Sequence, residues 1–178
     1  MNKIRIITFF AFLVIFTGIF QLGSMSTVSE EEAALFMEEF EKLVLDIDAF
    51  GIFVHNTTIA LPMFIPGFGI FWGLFSSWST GYAFAAIATS IPEIANISPL
   101  SILFLSPFGL MEISSYSLAI SRSFILIKGI ITKTNLSQFI KPTIIEIGIV
   151  ILLLLAGGYV EFYMIELVQN ETIEMPGL

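Results

Sequence analysis

Few residues in this 178-residue chain can do chemistry, and they are scattered through long apolar runs. His55, Asn56, Thr80 and Glu112 lie inside such runs, as do Arg122 and Glu146, with Glu161 near the end of the last one. In hydrocarbon an ionisable group costs about 2.5–3.5 kcal/mol on insertion scales, so it finds a partner or serves a purpose. A carboxylate with Asn, Thr and His beside it can hold a proton or a cation, or it can tie helices together through hydrogen bonds. An arginine and a glutamate at equal depth neutralise each other. Hydrolysis is a poor fit. Ser76, Ser77 and Ser79 have no nucleophile elbow around them, and no P-loop, dinucleotide fingerprint or zincin motif occurs. With no cysteine and a single histidine, thiolate and histidine-rich metal sites are excluded. These residues call for no metal and no cofactor, and the chain reads as a non-enzyme.

The elements that hold these residues follow from the composition. Apolar residues make up 56% of the chain and charged residues 12%, against about a quarter charged in soluble domains. The net charge of −8 argues against a nucleic-acid partner, because phosphate binding wants basic patches. The expected fold is all-α: a polytopic transmembrane bundle forming a single membrane domain over residues 1–178, with the lipid bilayer as its first partner. A helix crosses the hydrocarbon core in about 20 residues. The apolar periodicity predicts spans at about 5–23, 48–65, 68–90, 107–128 and 143–165. The first apolar run, Ile6–Leu22, has 17 residues, longer than the apolar core of about 7–15 in a signal peptide, and reads as a retained helix. Pro66 and Gly67 divide the second span from the third. Ser106 and Pro107 read as a helix start, leaving Leu100–Leu105 as a short outer or re-entrant piece.

Charge predicts the orientation. Lys3 and Arg5 precede the first span, and Lys128, Lys133 and Lys141 flank the loop between the fourth and fifth. Basic residues prefer the cytoplasmic side. Five spans then put the N-terminus in the cytoplasm and the C-terminus outside, in the cell membrane as a multi-pass protein. The outer segments are acidic, with Glu30, Glu31, Glu32, Glu38, Glu39, Glu41, Asp46, Asp48, Glu93, Glu166, Glu171 and Glu174. Residues 29–48 read as an outer amphipathic helix. Ser29 and Glu32 make a capping box, and Phe36, Phe40, Leu43 and Ile47 recur at helical spacing with Met37 and Val44 beside them.

Depth then predicts two constellations. Arg122 lies about 9 Å inside from Lys128, and Glu146 about 7.5 Å inside from Lys141, which predicts an Arg122–Glu146 salt bridge between adjacent antiparallel helices. His55 and Asn56, about 10–12 Å in from Asp48, lie at the depth of Thr80 and Glu112, so these four are expected to converge in the outer leaflet. A third pattern concerns packing: Gly69, Gly73, Ser77, Gly81 and Ala85 form an i, i+4 row of small residues that lets two helix backbones approach.

The order of these features resembles the stage II sporulation protein M family of integral membrane proteins. The likeness rests on His55-Asn56-Thr57, Thr80-Gly81 and Ser106-Pro107-Phe108-Gly109-Leu110-Met111-Glu112-Ile113. Asn56, Gly81, Pro107, Gly109 and Glu112 match the family's pattern. His55, Thr80 and Phe108 depart from it, standing where the family has Asn, Asn and His. The resemblance implies a membrane component of a multiprotein complex whose chemistry is done by partners. The leading expectation is a non-catalytic integral membrane subunit or scaffold, with other integral membrane subunits as partners. The alternative is a small transporter or channel subunit with an outer-leaflet polar site around Glu112, which would need to form a homo-oligomer to enclose a path.

Overall fold

The computed structural model describes residues 3–44, 47–92 and 94–169. Of the acidic residues named above, Asp46, Glu93, Glu171 and Glu174 lie outside the described residues, as do the side chains of Leu43 and Val44. The described chain is helical: α1 (Lys3–Ser24), α2 (Glu30–Val44), α3 (Ala49–Ala60), α4 (Phe68–Ser90), α5 (Pro99–Leu105), α6 (Pro107–Ile131) and α7 (Ser137–Gln169), with 3₁₀ turns at Leu61–Phe64 and Ile94–Asn96.

Three helices, α1, α6 and α7, are long and apolar enough to cross a membrane. The expectation of five spans is therefore met only in its coarser form. Helix α3 stops at Ala60 because Pro62 tightens the chain into a 3₁₀ turn. Helix α4 has the length, at 23 residues, but its Ser, Thr, Gly, Trp and Tyr residues dilute its hydropathy. Outward-facing Phe10, Val14, Phe71, Phe75, Leu152 and Tyr163 give the bundle an apolar surface suited to lipid.

Helix α6 is the central element, packed against α1, α3, α4, α5 and α7. Its sequence explains why. Ser115, Ser117, Ser121 and Ser123 are all fully buried, and their small side chains let the neighbouring helices close in. Ser123 Oγ donates to the Ile65 carbonyl (2.6 Å) and pins the α3–α4 turn to α6. Phe12 and Phe16 of α1, Met63, Phe64, Ile113, Ile120, Val150 and Leu154 fill the core around it. The start of α6 is as the sequence predicts: Ser106 Oγ accepts from the Gly109 N–H (3.1 Å) with Pro107 at the first position. Gly109 is required there, because a Cβ would fall 2.6 Å from the Leu103 carbonyl oxygen where α5 folds back.

The row of small residues on α4 is buried along its length, but it serves several neighbours in turn rather than one. Gly69 abuts the Met63 carbonyl, Gly73 the side chain of Ile120, and Gly81 the Phe20 carbonyl of α1. Ser77 Oγ donates to the Phe16 carbonyl (2.6 Å). Ala85 packs with Val28, Ala33 and Ala86, where the base of α2 sits.

Helix α2 begins with the expected capping box. The Glu32 carboxylate accepts from the Ser29 N–H (3.0 Å) and hydroxyl (2.8 Å), and Ser29 Oγ accepts from the Glu32 N–H (3.2 Å). These bonds, to the Ser29 backbone first and its hydroxyl second, hold the Glu32 pKa below the usual carboxylate value. A lowered folded-state pKa stabilises above the unfolded value and is lost as pH falls through the folded one. The first turn of α2 should therefore fray on acidification below the ordinary carboxylate range. Amide NMR of the reconstituted protein would show it, and Ser29→Ala should weaken the dependence.

Candidate functional site

Two polar constellations lie at opposite ends of the bundle, and the filled core separates them. At the end where α3 begins, the Asn56 side-chain amide donates to Glu112 Oε1 (2.8 Å), joining α3 to α6. Asn56 is buried. Glu161 lies on α7 one turn beyond Gly157, which faces Met111 of α6, so its carboxylate belongs to the same end of the bundle as Glu112. Tyr116, one turn along α6 from Glu112, is buried. Glu161 Oε2 is buried with no hydrogen-bond partner among the described residues. This end of the bundle thus holds two carboxylates, one of them with an amide donor, groups that can hold a proton or a small cation.

Two expected members do not join it. His55 is exposed on the outside of α3, and Thr80 is exposed on α4, its hydroxyl donating to the Ser76 carbonyl of its own helix (2.9 Å). The reason is helical geometry: neighbours in sequence are about 100° apart, so an inward Asn56 turns His55 away, and an inward Gly81 turns Thr80 away. Equal depth puts residues at one level of the bundle but not on one face. The sequence names Glu161 as a buried-run carboxylate but does not assign it to this cluster, and it gives Tyr116 no part in it. Their signal was the i, i+4 step from Glu112 to Tyr116 and from Gly157 to Glu161, since Gly157 faces Met111 of α6.

At the opposite end the structure brings Arg122 and Glu146 together and adds a third member. Arg122 Nε donates to Glu146 Oε2 (2.7 Å), and Arg122 Nη2 also donates to Glu146 Oε1. Arg5 approaches the same carboxylate from α1, with Nε to Oε1 at 2.7 Å and Nη2 to Oε2 at 2.8 Å. Arg5 further donates to Ser121 Oγ (2.6 Å) and to the Leu118 carbonyl (3.0 Å). Both arginines are buried, at 8% and 4% exposure. The expected pair is therefore half of an Arg–Glu–Arg bridge across three helices. Arg5, read from sequence as a flanking positive charge, lies on the buried face of α1 with Phe12, Phe16, Phe20 and Gly23. That helical spacing was the available signal.

A cavity of about 490 Å³ opens beside this bridge, between the start of α1, the end of α6 and the start of α7. Lys128 also lines it. Among the described residues no group of three or more His, Asp and Glu side chains is placed to hold a metal ion. No protein family, curated protein or solved structure matches the chain.

Proposed function

We propose that this chain is a non-catalytic integral membrane subunit or scaffold of a larger membrane complex. In this reading five helices, α1, α3, α4, α6 and α7, cross or enter the bilayer. The N-terminus is cytoplasmic and the C-terminus extracytoplasmic, because every basic residue except Lys42 belongs to the end that holds the start of α1 and the α6–α7 turn. The carrying observation is helix α2. It is anchored through Ala33 and Phe36 to the end of α4, while Glu30, Glu31, Glu38, Glu39 and Glu41 remain exposed. Such an acidic outer face suits a partner with a basic surface. The resemblance to the stage II sporulation protein M family points the same way, and two of its matching residues, Asn56 and Glu112, touch each other.

The test is extraction of the protein from its native membrane in a mild detergent, native-size separation and identification of co-migrating chains. The chain has no cysteine, so Glu39→Cys gives a unique crosslinking point on α2. A stoichiometric companion crosslinked from residue 39 is expected. A lone monomer with no crosslink overturns the reading.

A second reading, a small transporter or channel subunit, is favoured by Glu112 with its Asn56 donor and by the unpartnered, buried oxygen of Glu161. Glu112→Gln should leave the fold intact, because the glutamine oxygen still accepts from Asn56, and it should abolish cation or proton flux in reconstituted vesicles. Asn56→Leu instead strips a buried carboxylate of its donor and should cost about 1–3 kcal/mol of stability. Unchanged flux in Glu112→Gln removes the transport reading.

A further inference from the structure

We propose that the cavity at the basic end is a binding site for the phosphate group of an anionic phospholipid. Four observations converge on it. First, charge: Arg5, Arg122 and Lys128 line the cavity with Glu146 as the one carboxylate, so the positive charge there is not neutralised. Second, a free donor: Arg122 uses Nε and Nη2 on Glu146, whereas its Nη1 makes no hydrogen bond among the described residues, although the residue is buried. Third, Lys128 is exposed and makes no ion pair among the described residues. Both side chains line the one cavity, so a phosphate entering it finds a guanidinium and an ammonium in its walls, the two groups that bind phosphate.

The fourth observation separates a lipid from a soluble phosphate ester. Ile4, Phe124, Ile125, Phe139 and Pro142 form apolar walls beside the cationic floor. The cavity also lies at the ends of α1, α6 and α7, the three helices long and apolar enough to span a bilayer. Basic pockets between helix ends at this depth hold lipid headgroups, with the acyl chains following the apolar wall. Glu146 has a part in this arrangement. It holds the two arginines in place and leaves one guanidinium edge unspent. The Arg–Glu–Arg bridge is then a preorganised anion receptor as well as a strut.

Arg122 is the obvious residue to replace, but its loss would also break the bridge, so the decisive variant is Lys128→Gln, which touches no ion pair. The full chain is purified, delipidated in a neutral detergent and titrated with dioleoyl phosphatidylglycerol. Native mass spectrometry reads the bound lipid and thermal unfolding reads its effect. A single retained phosphatidylglycerol and a raised Tm are expected, with no such effect from dioleoyl phosphatidylcholine. Lys128→Gln should weaken binding by about fivefold, the loss of one near-surface cation. Lys141→Gln removes the same charge from α7 outside the cavity and should leave the affinity close to that of the unaltered chain. Equal binding of phosphatidylcholine, or an equal loss in both lysine variants, overturns the proposal, since either means general attraction to the surface. Competition by glycerol 1-phosphate at the lipid's own affinity would assign the cavity to a soluble phosphate ester and overturn the lipid assignment.

Discussion

Replacing Glu146 with alanine should destabilise the protein by about 3–5 kcal/mol, the range for removing one partner of a buried ion pair. Among the described residues the carboxylate is the only ion-pair partner of two guanidinium groups that are 8% and 4% exposed. Without it, two like charges face each other across α1 and α6, held by helices whose packing fixes both side chains. Unfolding in a denaturing-detergent titration, followed by circular dichroism, would measure the loss. The third member changes how a charge swap should be read. For an isolated Arg122–Glu146 pair, exchanging the two residues would restore stability. Here the new arginine at 146 would point at Arg5, so Arg122→Glu with Glu146→Arg should fail to rescue. Rescue would mean that Arg5 is not part of the bridge in the membrane.

Gly81→Ala should be nearly as damaging, and Gly18→Ala should not. A Cβ at Gly81 would sit 2.1 Å from the Phe20 carbonyl oxygen and 2.8 Å from the Ser24 nitrogen. Both obstacles are backbone, so no rotamer change relieves the clash, and α1 and α4 must move apart. That loosens the Ser77–Phe16 hydrogen bond one turn away on α4. Overpacking costs about 1–3 kcal/mol, and this contact belongs at the upper end because the neighbour cannot yield. Gly18 has nothing within 4 Å of the added carbon. There alanine should be neutral or stabilising by up to about 1 kcal/mol through helix propensity. The same titration on both variants checks the pair, and equal stabilities would mean that the α1–α4 crossing is looser than described.

The contrast between these glycines shows where sequence reasoning stops. Both stand in apolar helices, but Gly81 belongs to a row at i, i+4 spacing and Gly18 does not, so the row marks a packing face. The row does not say what packs on it. Met63, Ile120, Phe20 and Val28 come from a 3₁₀ turn, α6, α1 and the α1–α2 connection, and no local pattern pairs them with α4. The Arg122–Glu146 contact was legible because adjacent antiparallel helices with a short turn make depth from the turn a usable coordinate. Arg5 was not, because α1 is distant in sequence and its rotation about its own axis is set by the packing of Phe12, Phe16 and Phe20. The same limit explains His55 and Thr80. Depth follows from rise per residue, but facing follows from rotation, and rotation is chosen by all the neighbours together.

By itself, then, the chain determines that it is a helical membrane protein with a basic end, an acidic capped helix and buried polar groups at two levels. Those properties depend on hydropathy and on charge counted along one dimension, where each residue contributes independently. Only the tertiary structure decides that Asn56 meets Glu112, that His55 turns away from it, and that two arginines rather than one close on Glu146. Each of those contacts needs two helices to settle their mutual rotation, and a few close approaches of small residues and buried serines, spread over the whole bundle, set that rotation.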